Sequence, residues 1–147
     1  MIRTTDKALR FDAAPRSLAV LDDVESRGEA QSRWVQELKE ICLDAADHDW
    51  DGEGAAPVQD GALNYAIAFV AELAQGVRFP DAGVDPDGEI SLEWRVREDA
   101  FSVSISSEGR LSYAGLFGES DCHGTEWMGE QVPAQVLRQL DRLILSL

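Results

Sequence analysis

Basic side chains are scarce in this chain: 13 lysines and arginines stand against 28 aspartates and glutamates, for a formal net charge of −15. A field of that sign repels phosphate backbones, so direct binding of nucleic acid is not expected and a basic protein becomes the favoured partner. Cysteine is scarce too. Two thiols, Cys42 and Cys122, are too few for a disulfide framework and read as packed or surface groups in a reducing compartment. No stretch approaches about 18 apolar residues, so no membrane span is expected. Residues 1–17 carry four bases but no apolar run that could form the core of a signal peptide. These absences point to the cytoplasm. Internal repeats and low-complexity segments are absent as well, and 44% apolar with 28% charged content suits one globular domain rather than a disordered chain.

What is present divides the chain into an expected N-terminal arm, residues 1–23, and a single domain, residues 24–147. The arm lacks sustained periodicity and is expected to be flexible. Over residues 29–46, Trp34, Leu38, Ile41, Cys42 and Ala45 follow the spacing of one helical face. A second helix is predicted over residues 60–75, with Leu63, Ala66, Ile67, Val70, Leu73 and Ala74 inward, Gln59 or Asp60 at its start and Gly76 at its end. Polar and apolar residues then alternate from Glu89 to Val96, from Phe101 to Ser106 and from Arg110 to Ala114, the pattern of strands with one wet and one dry face. A shorter fourth strand is predicted at residues 125–128, after a loop that contains residues 121–124. Pro133 opens a closing helix with Val136, Leu137, Leu140, Leu143, Ile144 and Leu147 on its apolar face. The expected fold class is α+β: an antiparallel meander of three to four strands, in the order ααββββα, covered on one face by helices. Leu92, Trp94, Phe101, Val103 and Ile105 should face those helices, with the serine face wetter.

Residues 22–60 concentrate the charge, with twelve acids against three bases, a local balance of −9. Within them, His48-Asp49-Trp50-Asp51-Gly52-Glu53-Gly54-Ala55-Ala56-Pro57 joins the two helices. Its glycines permit positive φ, its proline stiffens the exit, and Trp50 is a large apolar surface to leave in water. One reading makes it a structured connection in which Trp50 plugs the core edge and Asp49 or Asp51 caps backbone donors. The other makes Trp50 and its carboxylates a recognition surface for a cationic partner.

Catalytic and metal signatures do not assemble. Cys42, His48, Cys122 and His123 lack the spacing of a zinc site. Asp47, Asp49, Asp51 and Glu53 alternate like a calcium loop with Gly52 at position 6, but Val58 occupies position 12, where a bidentate glutamate belongs. A solvated acidic loop without calcium is therefore expected. Cys122 and His123 are adjacent, and in a strand they would face opposite ways, which removes His123 as a base for the thiol. Glu89 and Glu93 on one strand face are too far apart for a glycosidase pair and read as exposed charge on a wet sheet face. No catalytic residue, cofactor or metal ligand is assigned.

The set Trp50-Asp51-Gly52-x-Gly54-Ala55, Asp87-Gly88-Glu89-Ile90-x-Leu92-Glu93-Trp94 and His123-Gly124-Thr125 resembles a group of small uncharacterised bacterial proteins, over roughly residues 50–147. That resemblance implies one compact domain of bacterial or mobile-element origin and transfers no activity. The function expected from the charge is that of a non-catalytic acidic interaction protein binding a basic protein, as an antitoxin, immunity factor or inhibitor would. Its partner-binding residues are expected to be Glu37, Glu40, Asp44, Asp49, Trp50, Asp51 and Glu53, with Trp50 as the apolar anchor. The alternatives are a self-associating subunit with Trp34, Trp94 or Trp127 at an interface, and a small enzyme or ligand-binding domain with a site of another kind.

Overall fold

Ser26 starts the first helix, α1 (Arg27–Asp44), with a reciprocal cap: its hydroxyl accepts from the Glu29 N–H at 3.1 Å, and the Glu29 carboxylate accepts from the Ser26 N–H at 3.0 Å. The computed structural model describes residues 9–11, 26–74 and 76–145. Trp34, Leu38, Ile41, Cys42 and Ala45 are all buried, so the apolar stripe lies where the spacing puts it. The second helix, α2 (Ala62–Ala71), is shorter than expected and turned differently about its axis. It buries Ala62, Ala66, Phe69 and Val70, whereas Leu63 and Ile67 are half-buried and Ala74 is exposed. Its start is also a correction. Gly61, at φ 90°, precedes it without a side-chain cap, while Gln59 is used elsewhere: its amide oxygen accepts from the Ser107 N–H at 2.9 Å and its amide nitrogen donates to the Asp87 carbonyl at 3.2 Å.

The sheet is wider than the meander of three to four strands expected. Five strands, β2 (Asp81–Val84), β3 (Ile90–Val96), β4 (Asp99–Ile105), β5 (Arg110–Phe117) and β6 (Ser120–Trp127), follow one another antiparallel. A three-residue strand, β1 (Leu9–Phe11), pairs antiparallel with β2 and adds a sixth. Residues 1–8 and 12–23 of the expected arm lie outside the described residues. A closing helix, α3 (Ala134–Leu145), buries Val136, Leu140 and Leu143, with Leu137 half-buried, and among the described residues the element order is βααβββββα. Residues 121–124, expected as a loop, are the middle of β6. Polar residues on both faces hid that strand from an alternation test.

The three helices among the described residues lie on one side of the sheet, α1 against β1 and β2, α2 against β3 and β4, and α3 against β3, β4 and β5. Leu92, Phe101, Val103 and Ile105 are fully buried and Trp94 nearly so, while Ser102 and Ser104 are half-buried on the opposite face. That is the register the alternation demands. Phe69, Trp94, Phe101 and Tyr113 form a tilted aromatic row with successive centroids 6.0, 6.1 and 6.0 Å apart. Buried indoles need acceptors: Trp34 donates to the Pro80 carbonyl at 2.9 Å and Trp94 to the Arg78 carbonyl at 2.8 Å, which pins the segment leading into β2.

The open face is not uniformly wet. Glu89 and Glu93, expected as exposed charge, are only 6% and 7% exposed. The Glu89 carboxylate accepts from the Arg110 guanidinium, which reaches it across the sheet. Among the described residues, no helix is long and apolar enough to cross a membrane.

Candidate interaction surface

Trp50 and its loop are built into the body of the fold. The indole N–H donates to the Ala56 carbonyl at 2.7 Å, closing the loop on itself, and the ring packs half-buried against the core. Asp49 takes the left-handed conformation, φ 64°, which a short polar side chain tolerates, and its carboxylate accepts from the Gly54 N–H at 2.5 Å. The Asp51 carboxylate accepts from the Glu53 and Ala55 N–H groups at 2.8 and 3.1 Å. The exit is sewn to two other elements by Val58 N–H to the Ala45 carbonyl, Ala56 N–H to the Pro86 carbonyl and Gln59 N–H to the Gly88 carbonyl, each at 2.8 Å. Close approach at this seam requires glycine: Gly88 sits at φ 89°, and a Cβ there would collide with the Pro57 carbonyl oxygen. The connection reading of this loop is the one its hydrogen bonds support.

The seven residues expected at the interface therefore fall into two groups. Glu40, Asp44, Asp49 and Glu53 are exposed, whereas Glu37, Trp50 and Asp51 are half-buried. Glu37 borders the apolar stripe, because it precedes buried Leu38 by one residue, about 100° of helical rotation. Asp49 and Asp51 spend carboxylate oxygens on the loop backbone, whereas the exposed carboxylates of Glu40 and Asp44, four residues apart on one flank of α1, make no hydrogen bond or ion pair among the described residues. No ion pair reaches Glu37, Glu40, Asp44, Asp47 or Asp49 among the described residues.

One residue of this surface was not read from the sequence. Leu43, between Glu40 and Asp44, is 75% exposed, the most exposed large apolar side chain among the described residues. The available signal was its exclusion from the stripe: on the helical wheel it lies roughly opposite the buried face. The last turn of α1 also contains no basic residue, so the negative end of the helix dipole adds to Asp44 and the following Asp47. The result is an apolar knob with Glu40 and Asp44 on one flank and Lys39, one turn earlier, on the other.

Elsewhere the chemistry is quiet. Burial pushes the Cys42 thiol up to about 11, which leaves it protonated and unreactive. Cys122 is on the helix side of β6 with its Sγ 3.4 Å from the Gln139 amide oxygen, and exposed His123 is on the other side, so the two do not form a nucleophile pair. Among the described residues, no three His, Cys, Asp or Glu side chains come together as a metal site. A shallow groove of about 370 Å³ runs along the N-terminal half of α1, lined by Gly28, Gln31, Ser32, Val35, Gln36 and Lys39, with no acid or thiol in it. No family model matches this chain, and no curated protein or solved structure matches it.

Proposed function

We propose that this chain is a non-catalytic acidic interaction protein of the cytoplasm, which binds a basic protein partner in the manner of an antitoxin, immunity factor or inhibitor and does not bind nucleic acid directly. The observation that carries the reading is the end of α1, where Glu40 and Asp44 flank 75% exposed Leu43 on one side and Asp47 follows, none of the three acids in an ion pair among the described residues, although Lys39 stands on the other flank. Opposite fields speed encounter and fix orientation, and a desolvated apolar side chain at the centre supplies retained affinity. Leu43 takes the anchor role first expected of Trp50, whose indole is committed to Ala56. Asp49, Asp51 and Glu53 contribute to the field from the edge, as does half-buried Glu37. A bacterial origin, which the resemblance implies, belongs to the same reading.

The test is capture of partners by the full chain at low and moderate salt, followed by binding isotherms for the basic protein recovered. Glu40→Gln/Asp44→Asn/Asp47→Asn should weaken binding and flatten its salt dependence, and Leu43→Ser should weaken it at all salt concentrations, about tenfold or more for a central anchor. None of these positions is in the core, so thermal unfolding should be unimpaired. Equal binding by both folded variants and the wild type would reject this surface.

A further inference from the structure

The sheet ends, among the described residues, on β6, and that edge has few of the devices that discourage pairing. It is eight residues long, contains neither proline nor lysine, and pairs residue for residue with β5 from Arg110↔Trp127 to Phe117↔Ser120, without a bulge. Which of its backbone groups face outward can be derived. The Met128 N–H donates to the Gly109 carbonyl at 2.8 Å, so the pair 109/128 is a bonded one. Bonded and non-bonded pairs alternate along an antiparallel ladder. Hence Glu126, Gly124 and Cys122 bond to β5, while Trp127, Thr125, His123 and Asp121 aim N–H and C=O away from it. Those four side chains are exposed on the open face, Trp127 at 58%.

We propose that β6 is a homodimer interface at which two copies pair antiparallel, edge to edge, about a two-fold axis through Gly124, joining their sheets into one. Self-complementarity identifies the occupant as a second copy. With the axis at Gly124, Asp121 of one copy stands opposite Trp127 of the other and His123 opposite Thr125, so every outward group of both strands is paired. Moving the axis to His123 leaves Trp127 without a partner in the other strand, and moving it to Thr125 leaves Asp121 without one. An axis between residues would set open-face side chains against helix-side ones. The register of fullest pairing is also free of like charges: Asp121 meets Trp127, and Glu126 on the helix side meets Cys122. Each exposed Trp127 gains a cross-strand neighbour and His123 of the other copy on the diagonal. This interface is separate from the acidic end of α1 and stands or falls independently of it.

Sedimentation of the full chain over a wide concentration range should show a monomer–dimer equilibrium that strengthens with salt, because two chains of charge −15 repel until screened. Amide exchange should slow with concentration at Asp121, His123, Thr125 and Trp127 and stay unchanged at Cys122, Gly124 and Glu126, which already bond to β5. Trp127→Asp sets carboxylates opposite each other at both ends and should weaken the dimer about tenfold or more, and adding Asp121→Lys should restore it. Thr125→Pro removes an outward N–H only and should abolish pairing while the monomer remains folded. A monomer at every concentration and salt, or a dimer indifferent to these variants, would overturn the proposal.

Discussion

Glu89 shows how a single side chain can act against the usual pH behaviour of an acidic protein. Burial pushes its carboxyl above the ordinary 4.5, Asp87 and Asp85 push the same way, and the Arg110 guanidinium opposes them by charge and hydrogen bond without prevailing. A carboxyl with a raised folded pKa binds its proton more tightly in the native state than in the unfolded one. Its contribution to stability therefore falls as pH rises from the unfolded value near 4.5 through the higher folded one, and is fully unfavourable above both. Glu89→Gln removes this dependence while keeping an acceptor for Arg110, whose side chain is 42% exposed and stays hydrated when the charge is lost. Relative to wild type, the variant should gain stability between about pH 4 and about pH 7 in urea unfolding. A difference that stays constant, or runs the other way, would show that the Arg110 pairing outweighs the burial.

At the scale of elements, the C-terminal turn of α1 is built against its own stability. Glu40 and Asp44 are like charges four apart, and both stand near the negative end of the helix. Asp44→Lys should therefore raise unfolding free energy by about 0.5 to 1.5 kcal/mol while weakening capture of a basic partner. A variant both less stable and equally well bound would remove the functional argument for this turn. How much of each element was legible in advance follows from how one-sided its environment is. The α1 stripe and the β3 and β4 alternation were legible because core lies on one side of each and water or a polar face on the other. In α2 the sequence Ala-Leu-Asn-Tyr-Ala-Ile-Ala-Phe-Val-Ala is apolar nearly all round, so the pattern could not fix its rotation and Phe69 was passed over for Leu63 and Ile67. Short β2 holds a glycine and no polar alternation, and β6 is polar on both faces because helix cover over it is partial. The acidity of the candidate surface could be counted from residues alone. The role of Leu43 was not read, although the spacing of the α1 stripe already leaves it opposite the buried face.

For the whole molecule, the net charge of −15 makes salt a single variable with three separable effects. Attraction to a basic partner is screened, so that complex should loosen as salt rises. Repulsion between two copies is screened as well, so pairing through β6 should tighten. Folding brings the same 28 carboxylates closer together than the unfolded chain holds them, so the native state should also gain. Arg110 pairs with Glu89, and Arg95 approaches Glu93 at a marginal 4.0 Å. With an excess of 15 negative charges, net repulsion is what screening relieves as the Debye length shrinks from roughly 10 Å at 0.1 M to roughly 3 Å at 1 M salt. Thermal unfolding at neutral pH should shift upward by a few degrees over that range, on the order of 1 kcal/mol for a domain of this size. The shift should be measured at a protein concentration where the chain is monomeric in both buffers, so that pairing through β6 adds nothing to it, and it should shrink in Glu40→Gln/Asp44→Asn/Asp47→Asn, which carries three fewer negative charges. A melting temperature that falls with salt would mean that attractive pairs dominate the native state. The acidic surface would then be a balanced electrostatic network, not a field held in reserve for a partner.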